Sequence, residues 1–153
     1  MGVTSPPKPA TAQLDAARQF DFWLGEWDCT WGEGERGTNS VYLDLGDHVV
    51  VESFDARPAL EYQGVSHSVY DRTAGLWKQT WVDSDGAYLD FAGRFENGVM
   101  ELRRAAEFEG QAAVFRMRWF DIERDSLSWA YERSVDDGET WTTLWAIAYT
   151  RVL

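Results

Sequence analysis

Two charged residues sit in strand-like segments whose alternation could turn them towards the interior. Glu52 shares a strand face with Val50 and Phe54, and Arg116 shares one with Phe120. A buried charge is costly unless it is paired, so an inward Glu52 and an inward Arg116 predict contact with each other or with a polar ligand. Because charged side chains are mostly exposed, a structural ion pair or two outward charges is the alternative.

A set of aromatic side chains follows the period-2 alternation expected of an inner face. Its members are Trp77, Trp81, Phe91, Trp129, Tyr131, Trp145 and Tyr149. Gln79 lies between two of them and carries both a donor and an acceptor, so it is a candidate to orient a bound molecule. Eight strands already enclose room for one small ligand, so a wider barrel with these rings inside predicts a lined cavity rather than a solid core.

The remaining reactive residue types show no catalytic or metal-binding spacing. His48 and His67 have no Cys or Glu at metal-ligand spacing, and a zinc site needs three or four convergent ligands. Cys29 has no Cys-x-x-Cys partner and is interpreted as an inert buried thiol. There is no glycine-rich phosphate loop and no Gly-x-Ser-x-Gly motif. We therefore predict no metal and no cofactor.

One motif near the end of the chain predicts a turn. Residues 134–141 match the Asp-box pattern Ser-x-Asp-x-Gly-x-Thr-Trp, in which Asp136 can accept from the turn's own amides and Trp141 can pack across it. Asp-boxes occur away from the catalytic centre in sialidases, so this motif does not predict glycosidase activity.

The strands that carry these residues are separated by turn signals about every ten residues. The signals are Gly32 to Gly37, Gly46-Asp47, Arg57-Pro58, Thr73 to Gly75, Ser84 to Gly86, Asn97-Gly98, Glu109-Gly110, Arg124-Asp125 and Asp136 to Gly138. Short turns make consecutive strands antiparallel neighbours, and pairing the first strand with the last removes both sheet edges. The sequence predicts an all-β fold, a closed up-and-down antiparallel barrel of about ten strands.

The beginning of the chain differs in composition from the rest. Residues 1–10 contain three of the four prolines and predict a disordered tail, which leaves 11–153 as a single domain. Leu14, Ala17 and Phe20 recur at helical spacing, so a short helix is expected to cap one end of the barrel.

Charge and cysteine content exclude several classes of function. The net charge of −12 opposes binding to nucleic acid or to an anionic membrane surface. No apolar run approaches the roughly 20 residues of a membrane-spanning helix. A single cysteine and a beginning that lacks the pattern of a signal peptide predict a cytoplasmic protein.

Four motifs together resemble a bacterial family of uncharacterised calycin-like domains. They are Phe20-Asp-Phe-Trp-Leu-Gly-Glu-Trp27, Tyr70-Asp71, Trp77-x-Gln-x-Trp-Val-Asp83 and the Asp-box at 134–141. The resemblance covers roughly residues 20–151 and implies a lipocalin-like barrel without an assigned activity. Leu24 to Glu35 also resembles the opening of nitrobindin-type haem barrels, but those ligate iron through a late histidine, and this chain has none after His67.

Two classes of function are compatible with these observations. The first is binding of a small, partly apolar molecule, with a carboxylate or carbonyl as its polar end, at Glu52, Gln79, Trp81, Arg116, Trp129, Tyr131 and Trp145. The second is an enzyme acting in the same cavity, with Glu52 as general acid or base. A filled barrel whose outer face joins a partner, including a second copy in a homodimer, is the third arrangement that the sequence leaves open.

Overall fold

Each strand of the molecule pairs antiparallel with its neighbours in sequence, and the first pairs with the last. The structure, a computed structural model, describes residues 15–153. The ten strands close into one barrel, which confirms the predicted fold. Their bounds are β1 Gly25–Trp31, β2 Glu35–Asp44, β3 Val49–Asp55, β4 Gln63–Asp71, β5 Leu76–Asp83, β6 Tyr88–Glu96, β7 Val99–Phe108, β8 Gln111–Phe120, β9 Ser126–Ser134 and β10 Thr142–Arg151.

The predicted turn residues supply the backbone conformations that the hairpins need. Asn97 (φ 53°) and Gly98 (φ 77°) are both left-handed between β6 and β7, as a two-residue type I′ turn requires. Glu109 (φ 50°) and Gly110 (φ 79°) do the same between β7 and β8. These tight turns keep each strand beside the one before it and exclude a crossover connection.

One end of the barrel is closed by the segment before β1, as predicted. Single-turn 3-10 helices span Ala16–Arg18 and Asp21–Trp23, so the cap is shorter and tighter than a continuous α-helix. Phe20 and Trp23 are fully buried, and both rings lie edge-on to the Trp119 ring. The distance between ring centroids is 5.0 Å for Phe20 and 5.2 Å for Trp23. Leu14 and the predicted disordered tail lie outside the described residues.

The chain passes from this cap into β1 through Gly25 and Trp27. Gly25 has a φ of 129°, a conformation that favours glycine. Trp27 is buried, packs on Tyr149 at 5.8 Å and donates its indole hydrogen to the Trp23 carbonyl oxygen at 2.8 Å. The first strand is thus fastened to the cap by its own tryptophan.

Alternation correctly identifies most inner faces of the barrel. Trp77 and Gln79 in β5 and Phe91 in β6 are buried as predicted. The same alternation predicts that Val41, Leu43 and Leu45 face inward, but Leu45 has a φ of 50° in the β2–β3 turn and is 72% exposed. The prediction for Leu45 is wrong because the strand ends at Asp44, before the alternation reaches it.

The antiparallel order places alternate loops at opposite ends of the barrel. The cap shares one end, here called the capped end, with the loops 45–48, 72–75, 97–98 and 121–125. The other end, here called the open end, carries the loops 32–34, 56–62, 84–87, 109–110 and 135–141. No helix within residues 15–153 has the length and apolar character needed to cross a membrane.

Candidate functional site

The interior encloses a cavity of about 250 Å³ between the cap and the open end. Its deep wall includes Met117 and Trp119, which are buried, whereas Tyr62, Trp81 and Trp145 at the open end are only half-buried. The cavity therefore opens away from the cap. The full lining is Glu52, Phe54, Tyr62, Trp81, Asp83, Leu89, Phe91, Met117, Trp119, Trp129, Tyr131, Trp145, Ile147 and Tyr149.

Five of the seven predicted site residues meet at this cavity. They are Glu52, Trp81, Trp129, Tyr131 and Trp145. Four different strands contribute them, because β3, β5, β9 and β10 each turn alternate side chains inward. Trp145 is central to the aromatic part of the wall, where it lies edge-on to Trp129 at 6.1 Å and to Phe54 at 5.6 Å. Their role in binding stays a prediction.

Arg116 lies on the outer face of the barrel, so its predicted inward orientation is wrong. Its neighbour Met117 lines the cavity, and alternation turns Arg116 away from it. The Nε of Arg116 donates to Glu132 at 2.8 Å, and the guanidinium lies 3.7 Å from the centroid of the Trp141 ring. Arg116 is thus held by an ion pair and a cation–π contact on the outside.

Gln79 is buried but is not part of the cavity lining. Its Nε2 donates to the Ser68 hydroxyl at 2.9 Å, while its Oε1 has no hydrogen-bond partner among the described residues. Gln79 therefore joins β4 to β5 in the core, and the structure does not bring it to the other predicted site residues.

Glu52 is the charged group deepest in the site, and the described residues around it supply neutral donors. The Asn39 amide donates to Glu52 Oε2 at 2.7 Å, and the Ser66 hydroxyl donates to Glu52 Oε1 at 2.7 Å. The same Asn39 nitrogen donates to the Tyr149 hydroxyl oxygen at 2.9 Å. Register explains the arrangement, because Glu52 in β3 stands directly opposite Ser66 in β4.

Burial dominates the ionisation of this cluster. It raises the pKa of Glu52 to about 7, although the hydrogen bonds from Ser66 and Asn39 act in the opposite direction. Burial also raises the pKa of Cys29 and of Tyr149, so both stay protonated at neutral pH. Cys29 is buried as predicted, and a protonated thiol is a poor nucleophile.

Asp83 fixes the aromatic rim of the cavity, which the sequence analysis did not foresee. Its Oδ2 accepts from the Tyr62 hydroxyl at 2.8 Å and from the Trp81 indole at 2.9 Å. Gly64 makes room for that indole, because a Cβ there would lie 1.9 Å from the Trp81 ring. The signal was present as Trp81-Val-Asp83, whose i, i+2 spacing puts both residues on one strand face.

Arg104 is a basic residue near the cavity that the sequence analysis missed. It follows Leu102 on the inner face of β7, and its guanidinium carbon lies 6.0 Å from the Phe91 ring and 5.6 Å from the Phe115 ring. Burial raises the pKa of Tyr131, while the neighbouring Arg104 charge acts to lower it. Arg103 immediately precedes it, so the sequence alone did not indicate which arginine faces inward.

Neither the histidines nor the Asp-box contributes to the cavity. Within residues 15–153, no three His, Cys, Asp or Glu side chains converge to hold a metal ion. In the Asp-box, Asp136 accepts from the Ser134 hydroxyl at 2.7 Å and from the Thr140 amide at 2.8 Å. The motif is a self-bonded turn at the open end, and its Trp141 covers Arg116 on the outer face.

The chain was compared with known proteins by family and by sequence. No protein-family model matches it, and no curated protein matches it.

Proposed function

We propose that this protein binds a small, partly apolar molecule inside the barrel, with the polar group of the ligand next to Glu52. The observation that carries the proposal is a cavity of about 250 Å³ lined by aromatic rings and open at one end. Since a water molecule occupies about 30 Å³ in the liquid, this is space for roughly eight waters, or for a small ring system.

The cavity has the composition of a ligand site rather than of ordinary core. Ligand pockets combine apolar walls with a few placed polar groups, and here Glu52 and Asp83 are the carboxylates among aromatic and aliphatic lining residues. Asp83 accepts four hydrogen bonds, from the Tyr62 hydroxyl, the Trp81 indole and the backbone amides of Asp85 and Ala87, whereas Glu52 accepts two, so Glu52 is the carboxylate with acceptor capacity left to orient a ligand. Arg116 takes no part in this revised site.

Tryptophan fluorescence can test the proposal because four indoles, those of Trp81, Trp119, Trp129 and Trp145, line the cavity. We expect neutral probes such as 2-phenylethanol to quench the emission saturably.

Two matched variants locate the binding site. Ile147→Phe adds bulk to the cavity lining and should weaken probe binding at least tenfold, whereas Val69→Phe on the exposed outer face of β4 should leave probe binding unchanged. Leu89→Phe, nearer the open end, replaces Ile147→Phe if that variant unfolds. Non-saturable quenching by every probe of a broad small-molecule screen would contradict the proposal.

A second candidate function is catalysis with Glu52 as general acid or base. The observation in its favour is the pKa of Glu52, raised by burial to about 7, where proton transfer is most efficient at neutral pH. Chromatography of each bound probe after incubation would reveal turnover, and Glu52→Gln should abolish turnover while retaining the fold. Binding is the better-supported function. Cys29 and Tyr149, the potential nucleophiles next to Glu52, are both kept protonated by burial and are therefore poor nucleophiles.

A further inference from the structure

We propose that the cavity is selective for organic cations, with an ammonium group placed against Glu52 and its apolar substituent among the aromatic rings. This inference rests on the proposed function and names the class of ligand. It differs from the carboxylate or carbonyl expected from the sequence, because the arginine on which that expectation depended lies outside the barrel.

The first argument is the direction of the hydrogen bonds at Glu52. Each carboxylate oxygen accepts one hydrogen bond, Oε2 from the Asn39 amide and Oε1 from the Ser66 hydroxyl. A carboxylate that only accepts hydrogen bonds has the pattern of the ionised form. Neither donor carries a charge, and no basic side chain of residues 15–153 forms an ion pair with Glu52. A buried carboxylate arranged in this way still lacks a compensating positive charge, which an ammonium ligand would supply.

The second argument is the set of rings that borders Glu52. Phe54 follows it on the inner face of β3, and Trp145 lies 5.6 Å from Phe54. Trp81 stands directly opposite Ser66, the donor to Glu52. Aromatic faces attract cations, and indole does so most strongly. Rings and carboxylate together form a site in which a cation is favoured over a neutral molecule of the same shape.

The position of Arg104 is compatible with this assignment. It stands on β7, four strands away from β3 around the ten-stranded barrel, and faces Phe91 and Phe115. Its charge disfavours a cation at that wall and therefore restricts the ammonium group to the Glu52 side.

The loops around the open end have the charge that attracts cations. They carry the acids Glu33, Glu61, Asp85, Glu109, Asp136, Asp137 and Glu139, against the single base Arg57. A cleft rimmed by one sign of charge raises the local concentration of ligands of the opposite sign.

Three probes of similar shape separate the ligand classes by isothermal titration calorimetry at pH 8. They are 2-phenylethylammonium, 2-phenylethanol and 3-phenylpropanoate. We expect the ammonium ion to bind at least tenfold more tightly than the alcohol, and the carboxylate to bind most weakly. Glu52→Gln should weaken the ammonium ion at least tenfold and change the alcohol less than threefold. Glu96→Gln, an exposed acid at the capped end, is the control for the loss of one charge and should change neither.

A second measurement uses the unmodified protein, in case Glu52→Gln unfolds. The titratable groups that line the cavity or lie next to Glu52 are Cys29 of β1, Tyr149 of β10, Tyr131 of β9, Asp83 of β5 and Tyr62 of the 56–62 loop. Burial raises the pKa of the thiol and of the three phenols, so all four stay protonated near neutral pH. The pKa of Asp83 is below its ordinary value, since hydrogen bonds from Trp81 and Tyr62 outweigh its burial. Protonation of Glu52 should therefore weaken the ammonium ion by about tenfold between pH 8 and pH 6 and leave the alcohol unchanged.

The outcomes distinguish this inference from the proposed function. Equal affinities for ammonium ion and alcohol, or tightest binding of the carboxylate, would overturn cation selectivity and leave small-molecule binding in place. The same holds if other neutral molecules bind and none of these three does. Absence of saturable binding across the whole screen would count against both.

Discussion

The two buried glutamates of the barrel have opposite electrostatic surroundings. Glu132 faces outward and accepts from Arg116 and Arg118, each at 2.8 Å. Burial raises its pKa, but the two arginines outweigh burial and hold it below its ordinary value. Glu52 faces the cavity, has only neutral donors among the described residues and has its pKa raised to about 7. Glu132 is therefore part of a structural ion-pair network, while an uncompensated acid such as Glu52 is typical of a functional site.

Substitution of Glu52 by Gln should remove the pH dependence of stability that the Glu52 carboxyl contributes. The pKa of Glu52 is higher in the folded state than the ordinary value of 4.5, so its contribution to stability is fully present below about pH 4.5 and is lost as the pH rises through about 7. The free energy of unfolding of Glu52→Gln relative to the parent protein should increase by about 2–3 kcal/mol between pH 5 and pH 8. Urea denaturation at several pH values measures this.

Glu132→Gln is the matched control for that series. Its folded-state pKa is lowered, so the stability that Glu132 contributes is present above its unfolded pKa and is lost as the pH falls through the folded value. We therefore expect this variant to be less stable than the parent at pH 7 and to approach it in acid. If both substitutions gave the same slope, the assignment of Glu52 as an uncompensated acid would be wrong.

Among the elements, the segment before β1 is the one whose removal should affect the barrel most directly. Phe20 and Trp23 are fully buried, and Trp27 reaches back to the Trp23 carbonyl at 2.8 Å. Full burial of one large apolar side chain stabilises a protein by about 1.5–3 kcal/mol. A chain that begins at Gly25 should therefore lose roughly 3–6 kcal/mol of unfolding free energy and bind a hydrophobic dye at the exposed Trp77 and Trp119.

A chain that begins at Asp15 is the control for this truncation. Comparing the two truncated chains by urea denaturation isolates the contribution of residues 15–24. Equal stability of the two would show that Phe20 and Trp23 do not hold the capped end together.

Alternation was sufficient to predict strands whose two faces differ clearly. In β5, Trp77 and Trp81 lie on one face and Lys78 lies on the other. Because a lysine favours solvent, its position indicates correctly that its own face is the outer one. It failed in β8, where Arg116 alternates with Met117 and both faces include large side chains. The outer face of β8 is covered by Trp141 from the Asp-box turn and by Glu132 from β9. Those contacts come from other strands, so the sequence of β8 alone could not indicate them.

The cavity was predictable as an aromatic interior, but its polar groups were only partly so. Glu52 was identified because its strand places it between Val50 and Phe54. The donors Asn39 and Ser66 were not identified, since they come from neighbouring strands and their meeting depends on register. A single sequence indicates which alternate residues of a strand share a face. The register, which decides which residues of neighbouring strands stand opposite each other, follows only from the complete barrel.

For the molecule as a whole, the acidic charge is distributed unevenly between the two ends. The open-end loops carry seven acids and one arginine, whereas the capped-end loops combine Asp47, Asp121, Glu123 and Asp125 with Arg72 and Arg124. The net charge of −12 thus has its strongest local effect beside the mouth of the cavity. Such a field attracts cations over a distance that salt controls, because the Debye length falls from about 30 Å at 0.01 M to about 3 Å at 1 M.

Salt should therefore weaken the binding of 2-phenylethylammonium and leave that of 2-phenylethanol nearly unchanged. Between 0.01 M and 1 M sodium chloride we expect the affinity for the ammonium ion to fall by about three- to tenfold, measured by calorimetry at pH 8. The double substitution Asp85→Asn and Asp137→Asn removes two exposed charges of the open-end loops and should reduce this salt dependence. Asparagine tolerates the left-handed backbone at 137, where φ is 59°.

The matched control removes two exposed charges at the other end, by Glu96→Gln and Asp121→Asn, and should retain the full salt dependence. The two double variants have the same net charge, so any difference between them reports where the charge lies. If both reduced the salt dependence equally, the effect would come from the net charge of the protein, and the open-end loops would have no special part in attracting the ligand. If ammonium ion and alcohol responded to salt alike in the parent protein, the field at the mouth would not contribute to binding, and selectivity for a cation would depend on Glu52 and the rings alone.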